Sequence, residues 1–274
     1  MRLIRPSVEL LEQNPGLQGI YDMIELCGKT SYKSPVKGGK VAEDFVSARV
    51  NEGHYAVLEF GTVYLKYPSE KDFIKYHENP YSSIHLVEDG DFAVTTNLRV
   101  LVENGWTSDL EYLCEPTEHH ARRYTARVIT DRGVTHEIVR HRTFSFCQES
   151  TRYCNYSKDK FGKGLTFIEP QIFDSAKADS DKRPLTAGEA LFIKSCREAE
   201  ENYMEFLGRG FTPQQARAVL PNSVKTEICM CGFRDTWEHF FELRYYGATG
   251  KPHPDMLQVS TMLYNAFKER GIDF

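Results

Sequence analysis

The sequence predicts a mixed α/β protein of the α+β kind, and two groups of observations predict it. The stretches Leu58 to Tyr67, Tyr124 to Thr130 and Ser223 to Cys231 alternate, with β-branched or aromatic residues throughout, which is the period of strands. The stretches Gly19 to Cys27, Thr186 to Leu207 and Met256 to Glu269 instead space their apolar residues three and four apart, which is the period of helices. At 274 residues the chain is long enough for one large domain or two small ones. The expectation is a single domain over 1–274 with an inserted subdomain or hairpin at about 68–120.

In chain order, residues 1 to 13 read as a short strand and a turn into the first helix, where Ile20, Met23, Ile24 and Cys27 keep helical spacing. Gly28-Lys29-Thr30-Ser31-Tyr32-Lys33-Ser34 breaks that pattern; it suits a phosphate but lacks the glycines of a P-loop. A second helix runs from about Val41 to Glu52, with Gly53 as its C-cap. His54 stands at the junction before the strand that starts at Leu58. Pro68 to Glu78 reads as a surface excursion, Asn79 to Ser83 as a turn, Phe92 to Thr96 as a strand and Leu98 to Glu103 as a helix. His119, His120, Arg122 and Arg123 form a basic cluster expected to be exposed.

After the strand at Tyr124 to Thr130, Asp131-Arg132-Gly133 turns the chain and Val134 to Arg142 reads as a helix. On it Glu137, Arg140 and His141 lie three and four apart and so share a face. The chain then leaves through Phe144 to Cys147, and Gln148 to Tyr153 continues as loop or turn. Leu165 to Ile168 reads as a strand, and residues 174 to 184 are polar and expected to be mobile. In the long helix that follows, Leu191, Ile193, Ala199, Tyr203 and Phe206 are the candidate core positions. Thr212-Pro213 opens a short helix at Ala216 to Leu220. Asp235 is placed to cap the helix from Trp237 to Arg244, on which His239 and Arg244, five apart, point to different sides.

Composition narrows the function. The net charge of −5 argues against a general nucleic-acid binder. No run approaches the length of a membrane helix, and Met1 to Pro6 lacks a signal peptide's apolar segment, so the cytoplasm is the default expectation. Seven cysteines at scattered spacing are not a disulfide framework, and no pair has zinc-knuckle spacing. No His pair stands at metal-ligand spacing on a helix, so no metal site is expected.

The stretch Arg140-His141-Arg142-Thr143-Phe144-Ser145-Phe146-Cys147-Gln148-Glu149-Ser150-Thr151-Arg152-Tyr153 carries the chemistry. Three guanidinium forks so close together repel one another unless an anion sits among them. Taken locally, the stretch is either an anion site or a solvated run of charge.

Arg140-His141-Arg142, seven residues and then Ser150 resembles the signature of the flavin-dependent thymidylate synthases, and Ser145, Arg152 and Tyr153 fit its longer form. Ser31, then Gly53-His54 with Glu59, then Ala216 to Pro221 and His239 to Arg244 fit the family's other segments in order. The resemblance implies a central, mostly antiparallel sheet flanked by helices, assembled as a homotetramer with sites shared between subunits. It implies bound FAD, dUMP as acceptor, methylenetetrahydrofolate as one-carbon donor, NADPH as reductant and dTMP as product. By the same resemblance, Arg152 and Arg217 hold the dUMP phosphate, and Glu137, Arg140, Gln148, Glu149, Ser150 and Thr151 frame the nucleotide. Ser31, His54, Arg140, His141, Arg142, Gln148 and His239 contact the flavin, and Arg244 at the uracil edge is catalytic.

The chain departs from the family pattern at several positions. Cys147-Gln148 stands where Asn-Glu is common, Glu137 where Gln is frequent, Phe60 where a second His is common, and Phe233 and Asp235 where Asn and Arg are usual. Cys147 is read as a packing thiol and Ser150 as a binding residue, since no base is evident beside it. The competing reading is a non-catalytic nucleotide- or RNA-binding module that uses the Arg140 to Arg152 cluster.

Overall fold

A computed structural model describes residues 1–87, 89–171, 173 and 185–274. Its strands are β1 (Arg2–Ile4), β2 (Ser7–Leu11), β3 (Thr62–Tyr67), β4 (Ser83–Leu86), β5 (Phe92–Asn97), β6 (Arg123–Asp131), β7 (Ser145–Gln148), β8 (Thr166–Ile168) and β9 (Lys225–Phe233). Its helices are α1 (Gly16–Gly28), α2 (Lys40–Asn51), α3 (Ile74–His77), α4 (Leu98–Glu103), α5 (Arg132–Ile138), α6 (Ala187–Gly208), α7 (Pro213–Ala216), α8 (Arg234–Arg244) and α9 (Pro254–Glu269). The mixed α/β class holds, and the larger sheets are antiparallel.

The central sheet has the order β2-β6-β9-β7, and its pairs are all antiparallel. Strand alternation divides its two faces between two cores. Ala126, Val128, Ile228 and Met230 face one way and pack with Trp237, Phe240 and Phe241 of α8 and Met256, Val259, Leu263 and Phe267 of α9. Cys229 and Cys231 face the other way, where they meet Met23 and Cys27 of α1, with Phe60 and Cys147. The two thiols of Cys229-Met230-Cys231 therefore share one side, as the alternation predicts, and both are buried.

A second sheet, β3-β5-β4, closes a core with α1, α2 and α4. The stretch 68–120 belongs to this core: Tyr76, Leu98 and Leu101 are buried in it beside Ile20 and Val46. A third core lies under α6, where Cys196 and Tyr203 pack on the parallel pair β1-β8.

Several local expectations are corrected. Residues 1 to 13 hold two strands, because β1 pairs with β8 and β2 with β6. Tyr55–Phe60 is a 3-10 helix, so the strand expected from Leu58 begins at Thr62. The surface excursion of Pro68 to Glu78 anchors itself through Tyr76, whose hydroxyl donates to Asp109 at 2.7 Å. His120 is buried rather than exposed: its Nε2 donates to the Leu65 carbonyl at 3.1 Å while Nδ1 accepts from the Thr117 amide. The helix expected over Val134 to Arg142 starts at Arg132, capped by the Asp131 side chain, and ends at Ile138. Beyond it the Arg140 and His141 amides bond three residues back, so Arg140 and His141 lie in turns. Ser145 to Gln148 is a strand, not an exit loop, because β9 offers it a free edge.

Leu191 is exposed, and Cys196 takes the core position on α6. The short helix near Ala216 runs over Pro213–Ala216 and continues as a 3-10 turn. Asp235 lies inside the first turn of α8 and bonds the Thr236 amide, while Phe233 occupies the cap position. The polar stretch 174 to 184 falls outside the described residues.

Candidate active site

The junction of α5 and α8 gathers Glu137, His141, His239 and Arg244. Arg244 ends α8 and is half-buried. Its Nε donates to His141 Nε2 at 3.0 Å, its Nη1 to Glu137 Oε2 at 2.9 Å, and its Nη2 to the Glu137 carbonyl at 3.4 Å. A guanidinium has five N–H donors, so two remain for a ligand. Because His141 accepts through Nε2, its proton sits on Nδ1. Burial, then Arg244, then His239 push its pKa down to about 4, so His141 is neutral at pH 7. His239 is exposed, with its ring 6.2 Å from that of His141. His239 and Arg244, expected on different sides of α8, both meet His141.

A second group surrounds a cleft of about 270 Å³ that includes Arg132, His136, Thr151 and Arg217. Arg152 lies beside it, with Nε donating at 3.0 Å to Gln214 on α7, just ahead of Arg217. The sequence placed His136 on a face overlapping that of Arg140, but neither Arg132 nor His136 was among the expected site residues. They stand four apart on α5 and share a face, a signal legible only once the helix is known to start at Arg132 and not after Gly133. Arg132 lines this cleft, and its buried Nη1 has no hydrogen-bond partner among the described residues.

A third group surrounds a cleft of about 430 Å³ between the end of α1 and α2, which includes Ser31, Arg49, His54 and Arg99. Arg49 and Arg99 are further cations that sequence reasoning passed over, since neither sits in a motif. Arg49 Nε is buried here with no hydrogen-bond partner among the described residues. His54 is exposed, 3.4 Å from Glu52. Ser31 Oγ lies 3.1 Å from the thiol of Cys147, and the Ser31 carbonyl accepts the Ser150 amide at 3.1 Å.

Strand β7 separates these surroundings. Cys147 turns toward Ser31, while Gln148, on the opposite face, donates to Thr135 of α5 at 2.9 Å and Thr226 of β9 at 3.1 Å. Glu149 is buried, its carboxylate held by Tyr156 at 2.9 Å and Lys225 at 2.7 Å. Arg140 and Arg142 are exposed, and neither has a carboxylate partner among the described residues. Phe60 and Phe233 pack, Phe60 in the thiol-lined core and Phe233 under the Arg123 guanidinium at 5.6 Å.

The family model for thymidylate synthase complementing proteins matches residues 92–270. The chain belongs to that family. Similar curated relatives include a flavin-dependent thymidylate synthase of Mycobacterium avium, 36% identical over 115 residues, 41% of this chain and 45% of the relative. Another, from Corynebacterium glutamicum, is 31% identical over 148 residues, 54% of this chain and 56% of the relative. A third, from Paramecium bursaria Chlorella virus 1 and named as a probable enzyme of that kind, is 29% identical over 144 residues, 51% of this chain and 65% of the relative. The chain thus spans about half the length of the curated relatives it matches. Among solved structures, a UMP/dUMP methylase, PolB from Streptomyces cacaoi, covers 98% of the chain at a TM-score of 0.48 and 14% identity, a likeness too slight to bear on function. Among the described residues no helix is long and apolar enough to cross a membrane, and no group of His, Cys, Asp or Glu could hold a metal ion.

Proposed function

We propose that this chain is a flavin-dependent thymidylate synthase that reductively methylates dUMP to dTMP. Methylenetetrahydrofolate gives the carbon, and NADPH gives the reducing equivalents through FAD. Membership of the family supports the reading, and the observation that carries it is the hold on Arg244: two polar residues of α5 and the turn after it fix a guanidinium while leaving two of its donors open.

The phosphate and the uracil ring of dUMP each have candidate partners among the chain's own residues. Arg132, Arg152 and Arg217 hold the phosphate of dUMP, with Thr151 beside them. Arg244 stabilises negative charge on the uracil ring as it becomes anionic, an electrostatic role of the oxyanion-hole type. Glu137 and His141 orient it; a neutral His141 does so without adding a repelling charge.

The residues present fit a flavin dinucleotide. The Ser31 and His54 cleft holds the orphaned Arg49 Nε, and Arg140 and Arg142 are cations with no internal carboxylate among the described residues. Ser31, His54, Arg140, Arg142 and His239 would hold it, together with Arg49. When bound, FAD supplies the hydride chemistry that amino-acid side chains lack. The proposal includes a homotetramer whose subunits complete one another's sites, which the family resemblance implies.

The test is the visible spectrum of the purified protein and its behaviour without oxygen. NADPH bleaches the bound flavin, and colour returns only when dUMP and methylenetetrahydrofolate are both added. A colourless protein that cannot be loaded with FAD overturns the proposal.

A further inference from the structure

A cleft of about 470 Å³ lies between β1, the turn at Asp159–Phe161 and the buried charges behind Glu149. Its floor is a balanced set. Lys225 Nζ lies 2.7 Å from Glu149 and 3.6 Å from Glu227, and Lys33 Nζ lies 3.0 Å from Glu227 and 3.6 Å from Glu149. Two ammonium groups thus answer two carboxylates, and Arg127, itself paired with Glu9, adds a contact of 3.9 Å to Glu227, so the floor is close to neutral. Lys33 reaches it from a left-handed backbone (φ 48°), a conformation that a non-glycine residue keeps only where the surroundings enforce it.

The rim is not balanced. Among the described residues, Arg2 Nη2 donates to the Phe161 carbonyl at 3.0 Å, and Lys160 Nζ donates to the Tyr32 carbonyl at 3.4 Å and lies 4.8 Å over the Phe161 ring. Asp159, the remaining acid of the lining, is taken by Lys163 at 3.0 Å. The rim therefore carries two cations without a carboxylate among the described residues, over a floor that cannot neutralise them. Charge-assisted donors that face an open cleft are satisfied best by an anion with several acceptor oxygens.

We propose that this cleft binds a phosphate-bearing small molecule, held by Arg2 and Lys160 over the Lys33–Glu149–Lys225–Glu227 cluster. The volume lies within the range of small-ligand sites and admits inorganic phosphate or a mononucleotide. The cleft shares no lining residue with the Arg132 and Arg217 cleft, and Glu149, which the family resemblance counts among the nucleotide's contacts, lines this cleft and not that one.

The test uses the full chain and its melting temperature. Inorganic phosphate is titrated against sodium chloride of equal ionic strength, and a nucleoside monophosphate is titrated in parallel. Ligand that binds only the folded state raises the melting temperature with concentration. The expected result is a phosphate-dependent rise that persists in Arg217→Ala and weakens at least tenfold in apparent affinity in Lys160→Glu, with Lys160→Gln intermediate. Lys160 is exposed, so its variants are expected to fold, and their melting temperatures without phosphate verify it. If only the nucleotide shows a Lys160-dependent rise, the ligand is a nucleotide; if inorganic phosphate suffices, the site is a phosphate site. A rise untouched in Lys160→Glu, or abolished in Arg217→Ala, overturns the proposal, as does no rise at all.

Discussion

Arg244 donates its Nε–H to Nε2 of His141 at 3.0 Å, joining residues 103 apart in the sequence. That bond sets the tautomer of the histidine and the plane of the guanidinium together. With Glu137 it turns a long, flexible side chain into a fixed one.

Removing Arg244 therefore removes a preset electrostatic group. Arg244→Ala is expected to keep its flavin and lose dTMP formation by roughly 10²–10³-fold, the scale seen when one oxyanion-type donor is deleted. The check is a flavin absorption spectrum beside a turnover assay. Normal turnover would take Arg244 out of the reaction.

The proposed role of the Arg132 and Arg217 cleft, to hold the dUMP phosphate, predicts a different signature. Arg217→Ala and Arg132→Ala each delete a charge-assisted contact worth roughly 1.5–3 kcal/mol, about ten- to hundredfold in affinity. The KM for dUMP is expected to rise by that factor with kcat nearly unchanged, because the phosphate takes no part in the bond changes. Steady-state kinetics with dUMP varied will show it. A fall in kcat with KM constant would place these arginines elsewhere.

His141 ties stability to pH. Its folded-state pKa of about 4 lies below the ordinary histidine value. Between those values the unfolded chain binds a proton that the folded chain does not, so stability falls as pH drops from about 6.5 toward 4. The contribution is fully present above the unfolded value and gone below the folded one. Urea midpoints from pH 7 to pH 4 should show this slope, and His141→Phe should flatten it; an unchanged slope in that variant would exclude His141 as its source.

Cys147 stands in the motif but is not placed for attack. Burial pushes its thiol up to about 11, so at pH 7 only about one molecule in ten thousand carries the thiolate. Cys147→Ala should retain turnover within about threefold, and iodoacetamide should leave Cys147 unmodified in the native protein. Loss of turnover with a correctly folded variant would return the thiol to the chemistry.

Gly232 supports the same region through packing. A Cβ there would lie 2.7 Å and 2.9 Å from the Phe144 ring, inside contact distance. Overpacking of this kind costs typically about 1–3 kcal/mol, so Gly232→Ala should lower the unfolding free energy by that amount, read as a lower urea midpoint at unchanged m-value. A midpoint at the wild-type value would mean that Phe144 repacks freely.

The sequence by itself determined the class of fold, the long helices and strands, and the motif that marks the family. These are legible because period and spacing are local: Gly19 to Cys27 and Ser223 to Cys231 show their faces without any partner. It also set the thiols of Cys229 and Cys231 on one side, since a strand has only two.

The tertiary structure decided what the motif's residues touch. Glu137 and His141 appeared to share a helix face with Arg140. The helix stops at Ile138, and it is Arg244, 107 residues beyond Glu137, that joins the first two. Ser145 to Gln148 became a strand because β9 had an edge to pair, and that pairing turned Cys147 and Gln148 to opposite faces. Arg132 was hidden in an apparent turn until Asp131 capped the helix one residue before it. In each case the deciding partner lies on another element. A hydrogen bond or a strand edge contributed from far along the chain leaves no period in the local sequence.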